Sequence, residues 1–507
     1  MAEFQRIESI SSKFIHAISW TTLASIIGRA SGFITAILFA RFLGSNLLGI
    51  YTIILATLGL FNTLIASGLG LTASKMVAQY YIKEQDVAGK IIGLLLIALT
   101  VMICLGVCAY WCSISYISNV IYKMPELSGL LRLSLIWLIL MCVNNFVELI
   151  LAGMQSFKSL MIITSIMSML NLPLILIALL MSNPQLLFGL VIASTISAMI
   201  QFFLLFFQVL AEIKKYAINI SFNEIGALAR PVLFDFGAPA YIGKLMEQPL
   251  SWVSILILTI FGGGPSSVGG LTIINNLRAW VLYLPALITV FFVPLFTDIY
   301  HTREIKIFRR VLELNQRLLW VITFPLITVI ILMVHPLILL CFGQSYEKFW
   351  FSGVILLAGT ILIPLNEVND KAMVAMNKMW LSLLFRIIYL ILFLSGLLTL
   401  VPKYNLNGYV ISWVFSYFIY VLIQTFWLST VIKERADKFF ILFLSSIFVL
   451  FLSIMIAKYC PANCTIFFGI TAFMVIIIIE WLLFITNEEK QLLLNNFKQI
   501  FKHQIKF

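Results

Sequence analysis

Residues 44–54 read GSNLLGIYTII and residues 264–274 read GPSSVGGLTII, two stretches that share a Gly-x4-Gly-x2-Thr-Ile-Ile spacing 220 residues apart. Each joins two long apolar runs. Gly44 and Gly264 suit a tight turn that needs positive φ, and Gly49 and Gly269 let the following helix start close to a neighbour. A second echo lies 223 residues apart, where residues 152–160 (AGMQSFKSL) resemble residues 375–383 (AMNKMWLSL). Two echoes at nearly one offset predict a duplicated architecture.

What is duplicated follows from composition. Of 507 residues, 62% are hydrophobic and 11% charged, with a mean hydropathy of +1.07, far outside the soluble globular range. Apolar runs of about 20 residues with short connections use nearly the whole length, leaving no room for a soluble catalytic domain. Six runs lead from 14–39 to 185–210, six more from 232–261 to 408–431, and two follow at 439–459 and 466–485. The expected fold is an all-α polytopic membrane protein of about fourteen transmembrane helices. Because six is even, the two six-helix lobes run in the same direction, as parallel repeats around a central cavity. The expected organisation is an N-lobe at 1–211, a linker at 212–230, a C-lobe at 231–435, two extra helices at 436–486 and an amphipathic tail at 487–507. In that tail Leu493, Phe497, Ile500, Phe501 and Ile505 lie opposite Lys498, Lys502 and Lys506, as in a helix lying on an anionic leaflet.

Alternate connections collect 23 basic residues against 5 in the opposite set, which places both termini and the linker in the cytoplasm. The net charge of +12 is therefore mostly a topology signal, not a nucleic-acid patch. The seven cysteines form no framework. Cys104, Cys108 and Cys112 fall on one helix face, where small apolar packing outweighs a soft-metal stripe. Cys460 and Cys464 sit in a short loop, with spacing that suits a helix end as well as a bridge.

Four basic residues lie inside apolar runs: Arg29, Lys244, Arg278 and Arg386. Each costs ~2.5–3.5 kcal/mol at the centre of a membrane helix. A water-filled cavity that receives something anionic accounts for them economically. Arg29 and Arg278 are the leading candidates for a diphosphate because guanidinium binds it bidentately. Lys244 is next, although Glu247 one turn on can neutralise it. Arg386 can instead snorkel. Among intramembrane acids, Asp235, Glu247 and Glu148 are candidates for proton or sodium coupling. Glu367, Asp370 and Lys371 can pair within one turn, and Glu480 lies near a helix end. Asn275, Asn276 and Trp280 are candidate glycan contacts beside Arg278, with interhelical hydrogen bonding as the structural reading. Asn144 and Asn145 repeat that pattern. Pro239, Pro249, Pro285 and Pro294 break helices 7 and 8, either as bends for alternating access or as static kinks.

The segments Ala40-Arg41-Phe42-Leu43-Gly44, Leu48-Gly49-Ile50-Tyr51 and Gly68-Leu69-Gly70-Leu71-Thr72-Ala73 resemble the polysaccharide-transport branch of the multidrug/oligosaccharidyl-lipid/polysaccharide exporter superfamily, including flippases of the Wzx type. The resemblance covers nearly the whole chain. It implies a bacterial inner-membrane protein without a cofactor that moves an undecaprenyl-diphosphate-linked oligosaccharide, such as an O-antigen repeat unit, from the cytoplasmic to the outer leaflet. A polysaccharide polymerase is the implied protein partner. Lipid II flippases share that fold and carry arginines in helices 1, 2 and 8. Arg29 and Arg278 match helices 1 and 8, whereas helix 2 here has no basic residue, a departure from the lipid II pattern. Two other readings stand beside it: a cation-coupled multidrug antiporter of the same superfamily, and a membrane glycosyltransferase or polymerase. The basic residues argue against the first. Against the second, no outer connection exceeds about 20 residues, and no nucleotide-binding loop or nucleophile triad is visible.

Overall fold

The computed structural model describes residues 2–432 apart from 83, 181–184, 223–225, 238–240, 242–247, 290–295, 297–299 and 301–304. Among these the chain is helical throughout, because apolar residues in lipid must satisfy every backbone polar group within the segment. Two compact units are distinguished, Met1–Gly269 and Gly270–Phe507. Helices 13 and 14, the tail and Cys460 and Cys464 fall outside the described residues.

In the first unit α1 (Ala2–Tyr80) is followed by α2 (Gln85–Tyr116), α3 (Leu127–Leu133), α4 (Leu135–Gly153), α5 (Phe157–Leu179), α6 (Leu186–Lys215), α7 (Gly226–Ala229) and α8 (Gln248–Phe261), with α9 (Pro265–Val281) starting inside it. The second contains the rest of α9, then α10 (Tyr283–Thr289), α11 (Ile305–Leu337), α12 (Trp350–Thr360), α13 (Leu362–Ala375) and α14 (Met379–Ile432). Eight stretches are long and apolar enough to cross a membrane. Some of them hold two passes. A helix of 54 residues is about 80 Å long, far more than the ~30 Å hydrocarbon layer, and α14 duly breaks at Asn405 (φ 51°, ψ −129°). Likewise α1 breaks at Gly44 (φ 67°, ψ 178°).

Local backbone shape repeats between the units. Gly44 (φ 67°) and Gly264 (φ 75°) match, as do Lys123 (φ 54°) with Gly343 (φ 97°) and Gln155 with Asn377, both at φ 57°. Short π-helical turns occur at Ile117–Ile121 and Ile338–Phe342. The ends of α4 and α13 carry one cap drawn twice. Met154, Gln155 and Ser156 donate to the carbonyls of Ile150, Ala152 and Leu151, and Met376, Asn377 and Lys378 donate to those of Ala372, Val374 and Met373. This left-handed cap satisfies carbonyls that the helix end would orphan. It also corrects the register of the second echo: Gln155 matches Asn377, an offset one residue shorter than aligning Ala152 with Ala375.

The run expected as one helix over 268–296 is divided, since α9 ends at Val281 and α10 begins at Tyr283. Pro285 explains the position, because its ring clashes with the carbonyl four residues earlier, that of Val281. The cysteine stripe is corrected too. Cys104, Cys108 and Cys112 are exposed, so they do not pack against protein. Among the described residues no three His, Cys, Asp or Glu side chains gather as a metal site.

Candidate functional site

Arg278 lies in the last turn of α9, immediately before the proline-induced break. Its guanidinium sits 5.0 Å from the centroid of the Trp413 ring on α14. Trp413 stacks on Tyr417 at 4.9 Å, Tyr417 meets Tyr389 edge-on at 5.6 Å, and Phe393 bridges Tyr389 (5.8 Å) and Tyr409 (5.7 Å). The two passes of α14 thus form an aromatic wall for the arginine. A stacked guanidinium is held by its face, while its N–H edge stays available to fork onto an oxyanion. No ion pair ties Arg278 to a carboxylate among the described residues. Of the candidate glycan contacts, Asn275 and Asn276 are half-buried on the turn before it, and Trp280 is 38% exposed.

Beyond the aromatic wall α13 carries a dense polar knot. The Asp370 carboxylate accepts from Gln424 (2.8 Å), Ser382 (2.9 Å), Asn366 (3.3 Å) and Tyr420 (3.4 Å), and Arg386 lies 3.5 Å from it. Asn369 accepts from Gln316 of α11 (2.9 Å) and donates to Thr425 (3.0 Å). Lys371 reaches Glu367 (3.3 Å) and the carbonyl of Thr289 (2.6 Å). Pairing within one turn therefore describes Glu367 and Lys371 but not Asp370, whose charge is met by Arg386 from the next helix.

In the first unit Arg29 is exposed. Glu148 of α4 accepts from Gln201 of α6 at 2.7 Å. The duplicated turns meet here: Ser45 Oγ and Ser266 Oγ are 2.8 Å apart. A Cβ on Gly49 would fall 1.8 Å from the carbonyl oxygen of Pro265, and one on Gly269 would fall 2.0 Å from that of Ser45. Each turn rests on the glycine of the other. Asp235 lies in a π-helical turn, Arg230–Gly237, its side chain outside what is described. Lys244 and Glu247 are outside the described residues altogether.

Sequence reasoning missed Gln201, Gln424 and the Arg386–Asp370 pair. The repeat offset was the available signal. Moving Glu148 forward by 222 residues gives Asp370, and Asn144 gives Asn366.

A family profile described as polysaccharide biosynthesis protein matches residues 14–300. No curated protein matches the chain in sequence. Among solved structures, an inward-facing MATE-family multidrug resistance transporter of the MOP superfamily aligns with a TM-score of 0.67 at 15% identity, covering 82% of this chain and 98% of that one. The lipid II flippase MurJ, in an inward closed conformation, aligns at 0.67 and 16% identity, covering 90% and 97%. A Pyrococcus furiosus MOP-superfamily transporter, described as having a binding pocket of reverse polarity, aligns at 0.56 and 16%, covering 83% and 96%. The fold is thus that of MOP-superfamily transporters, and the chain is a multi-pass membrane protein. With more than half its length matched, it belongs to the polysaccharide biosynthesis protein family.

Proposed function

We propose that the chain is a flippase that carries an undecaprenyl-diphosphate-linked oligosaccharide, such as an O-antigen repeat unit, from the cytoplasmic to the outer leaflet of a bacterial inner membrane. The observation that carries this reading is Arg278 seated on Trp413. An arginine fixed by an aromatic face inside a membrane bundle, without a carboxylate partner among the described residues, is prepared for an external anion. A lipid diphosphate is such an anion, and the family points to polysaccharide assembly. Arg29 is the second diphosphate ligand of this proposal and Lys244 the third, with Asn275, Asn276 and Trp280 taking the glycan. The likeness to a lipid II flippase supports the lipid-linked cargo. The charge bias of the connections supports cytoplasmic termini and a cytoplasmic linker between the halves 1–211 and 231–435. Transport is the activity proposed, with no catalytic step. A polysaccharide polymerase is the proposed protein partner.

The second reading, a cation-coupled antiporter of small molecules, has in its favour the equal likeness to a multidrug transporter. Reconstitution into liposomes with a fluorescent lipid-linked glycan separates the two. Wild-type protein is expected to make the outer-leaflet label accessible to a membrane-impermeant quencher, and Arg278→Ala to lose that activity. Exchange no faster than in protein-free liposomes would sink the flippase reading.

A further inference from the structure

The repeat places a carboxylate on α4 and another on α13, and the two have different surroundings. Both accept from a glutamine on the last helix of their half: Glu148 from Gln201 at 2.7 Å and Asp370 from Gln424 at 2.8 Å. Both have an asparagine one turn earlier whose Oδ1 is buried without a hydrogen-bond partner, Asn144 in one half and Asn366 in the other. Of the two carboxylates, only Asp370 has a counter-charge among the described residues, the guanidinium of Arg386.

The helices packed on α4 are α1, α2, α3, α5 and α6. Their charged groups, Arg29, Arg41 and Lys75 of α1, Asp86 and Lys90 of α2, Arg132 of α3 and Lys158 of α5, make no ion pair with Glu148 among the described residues. On α6, Glu212 is paired with Lys215 at 3.0 Å, and Lys214 follows at the helix end. Glu148 nevertheless lies inside a membrane-spanning helix, Leu135–Gly153, where an uncompensated negative charge is costly. Asn144, 5% exposed, faces the same helix: its amide nitrogen donates to the Ala198 carbonyl of α6 at 2.9 Å. Its spare oxygen is an acceptor with nothing to accept.

We propose that Glu148 and Asn144 form a site for one small positive charge, a proton or a sodium ion, taken up and released during transport. The matching charge in the second half is the fixed guanidinium of Arg386. A proton on Glu148 supplies the donor that Asn144 lacks, and a sodium ion uses the same two oxygens as ligands. The chemistry in either case is neutralisation of one carboxylate by one monovalent cation. The second half cannot exchange its charge, because that charge is covalently part of the chain. One cation per transport cycle follows, not two. The inference rests on the transporter reading for its role, while the site itself is defined without reference to any cargo.

The test is infrared spectroscopy of the full chain in phosphatidylethanolamine–phosphatidylglycerol vesicles, without glycan, across pH and in sodium chloride against choline chloride. Wild type is expected to show a protonated-carboxyl stretching band that Glu148→Gln loses and Asp370→Asn keeps. Discharge of that band by raised pH alone identifies the proton, and discharge by sodium at fixed pH identifies sodium. Asn144→Ala keeps the carboxyl and is expected to weaken its hold on the cation about two- to tenfold, the worth of one hydrogen bond. It keeps the question answerable should Glu148→Gln fail to fold. Identical wild-type and Glu148→Gln spectra at every pH and sodium concentration would overturn the proposal. So would an unmoved titration in Asn144→Ala, or loss of the same band in Asp370→Asn. Failure of the flippase reading shows up separately, as absence of glycan exchange in wild-type liposomes with this band intact.

Discussion

Gly49→Ala places a methyl group 1.8 Å from the carbonyl oxygen of Pro265, where 3.4 Å is the near edge of ordinary contact. Roughly 1.5 Å of extra separation is required, and the obstacle is backbone on both sides, so no side chain can swing away. Overpacking of this kind costs about 1–3 kcal/mol, and against rigid backbone the upper end applies. Alanine returns up to ~1 kcal/mol through its better helix propensity. The net loss is about 2 kcal/mol, or roughly thirtyfold in the population of the closed contact.

Crosslinking reads that population. With native cysteines replaced, Ser45→Cys and Ser266→Cys stand where two hydroxyls are now 2.8 Å apart, close enough for a small shift to reach the ~2.05 Å of a disulfide. Efficient oxidation is expected in the parent and a large slowing once Gly49→Ala is added. Gly269→Ala is expected to do the same from the opposite turn. Gly32→Ala, which meets nothing within 4 Å, serves as the control that gains helix propensity without cost. An unchanged crosslinking rate in Gly49→Ala would show that the reciprocal glycines do not hold the turns together. A crosslinked protein that still transports at the normal rate would show that separation of the turns is not part of the cycle.

Arg278→Lys is expected to retain a fraction of glycan export and Arg278→Ala almost none, with both proteins present in the membrane; equal export by all three would remove the guanidinium argument. Trp413→Leu takes away the ring face and is expected to lower export while leaving the arginine in place, by about the ~1–2 kcal/mol of a desolvated cation–π contact. Arg386→Ala leaves Asp370 without its counter-charge and is expected to destabilise the protein by about 1–3 kcal/mol, less than a fully buried pair because Arg386 is 37% exposed; thermal unfolding should show Asp370→Asn restoring much of that loss in the double variant, and additive losses would refute the pairing. Reporter fusions at residues 433–438 should read as cytoplasmic, and an outside reading would reverse the topology.

The features legible in the sequence were those set by nearest neighbours along the chain. Glycines at a fixed spacing marked the turns at Gly44 and Gly264, and both residues have positive φ. Close approach was expected of Gly49 and Gly269, and the Pro265 and Ser45 carbonyls supply it. Hydropathy also gave the helical class. It could not see the break at Leu282, because Val281, Leu282 and Tyr283 are as apolar as the helices they interrupt; Pro285 was the only sign. Pairings beyond one helical turn were out of reach. Arg386 lies sixteen residues from Asp370, beyond the cap at Asn377, so an i to i+4 search pairs Asp370 with its own helix and misses the guanidinium. The one-residue error in the second echo has a similar origin, since chemical likeness aligned Ala152 with Ala375 while the cap geometry aligns Gln155 with Asn377.

The duplicated halves keep backbone geometry and let charge diverge, and the two behaviours have different physical causes. A helix end in a membrane must satisfy its last carbonyls locally, so the cap at Gln155 and Asn377 is retained in hydrogen-bond detail even though the side chains differ. A carboxylate has more than one way to be neutralised: a guanidinium from a neighbouring helix suffices, and so does a mobile cation. Thr164 stands in α5 at the offset that gives Arg386 in α14, so one substitution at a repeated position separates a fixed counter-charge from an exchangeable one. The same asymmetry reaches Arg278, whose aromatic wall is supplied by Tyr389, Tyr409, Trp413 and Tyr417 of α14. The 222-residue offset that aligns Gln155 with Asn377 puts Met167 of α5 and Leu187, Val191 and Thr195 of α6 at the matching positions. None of these four is aromatic, so the first half has no ring face on which to seat a guanidinium there. Function in such a fold is therefore to be sought where the repeats disagree in charge and aromaticity, and stability where they agree in backbone.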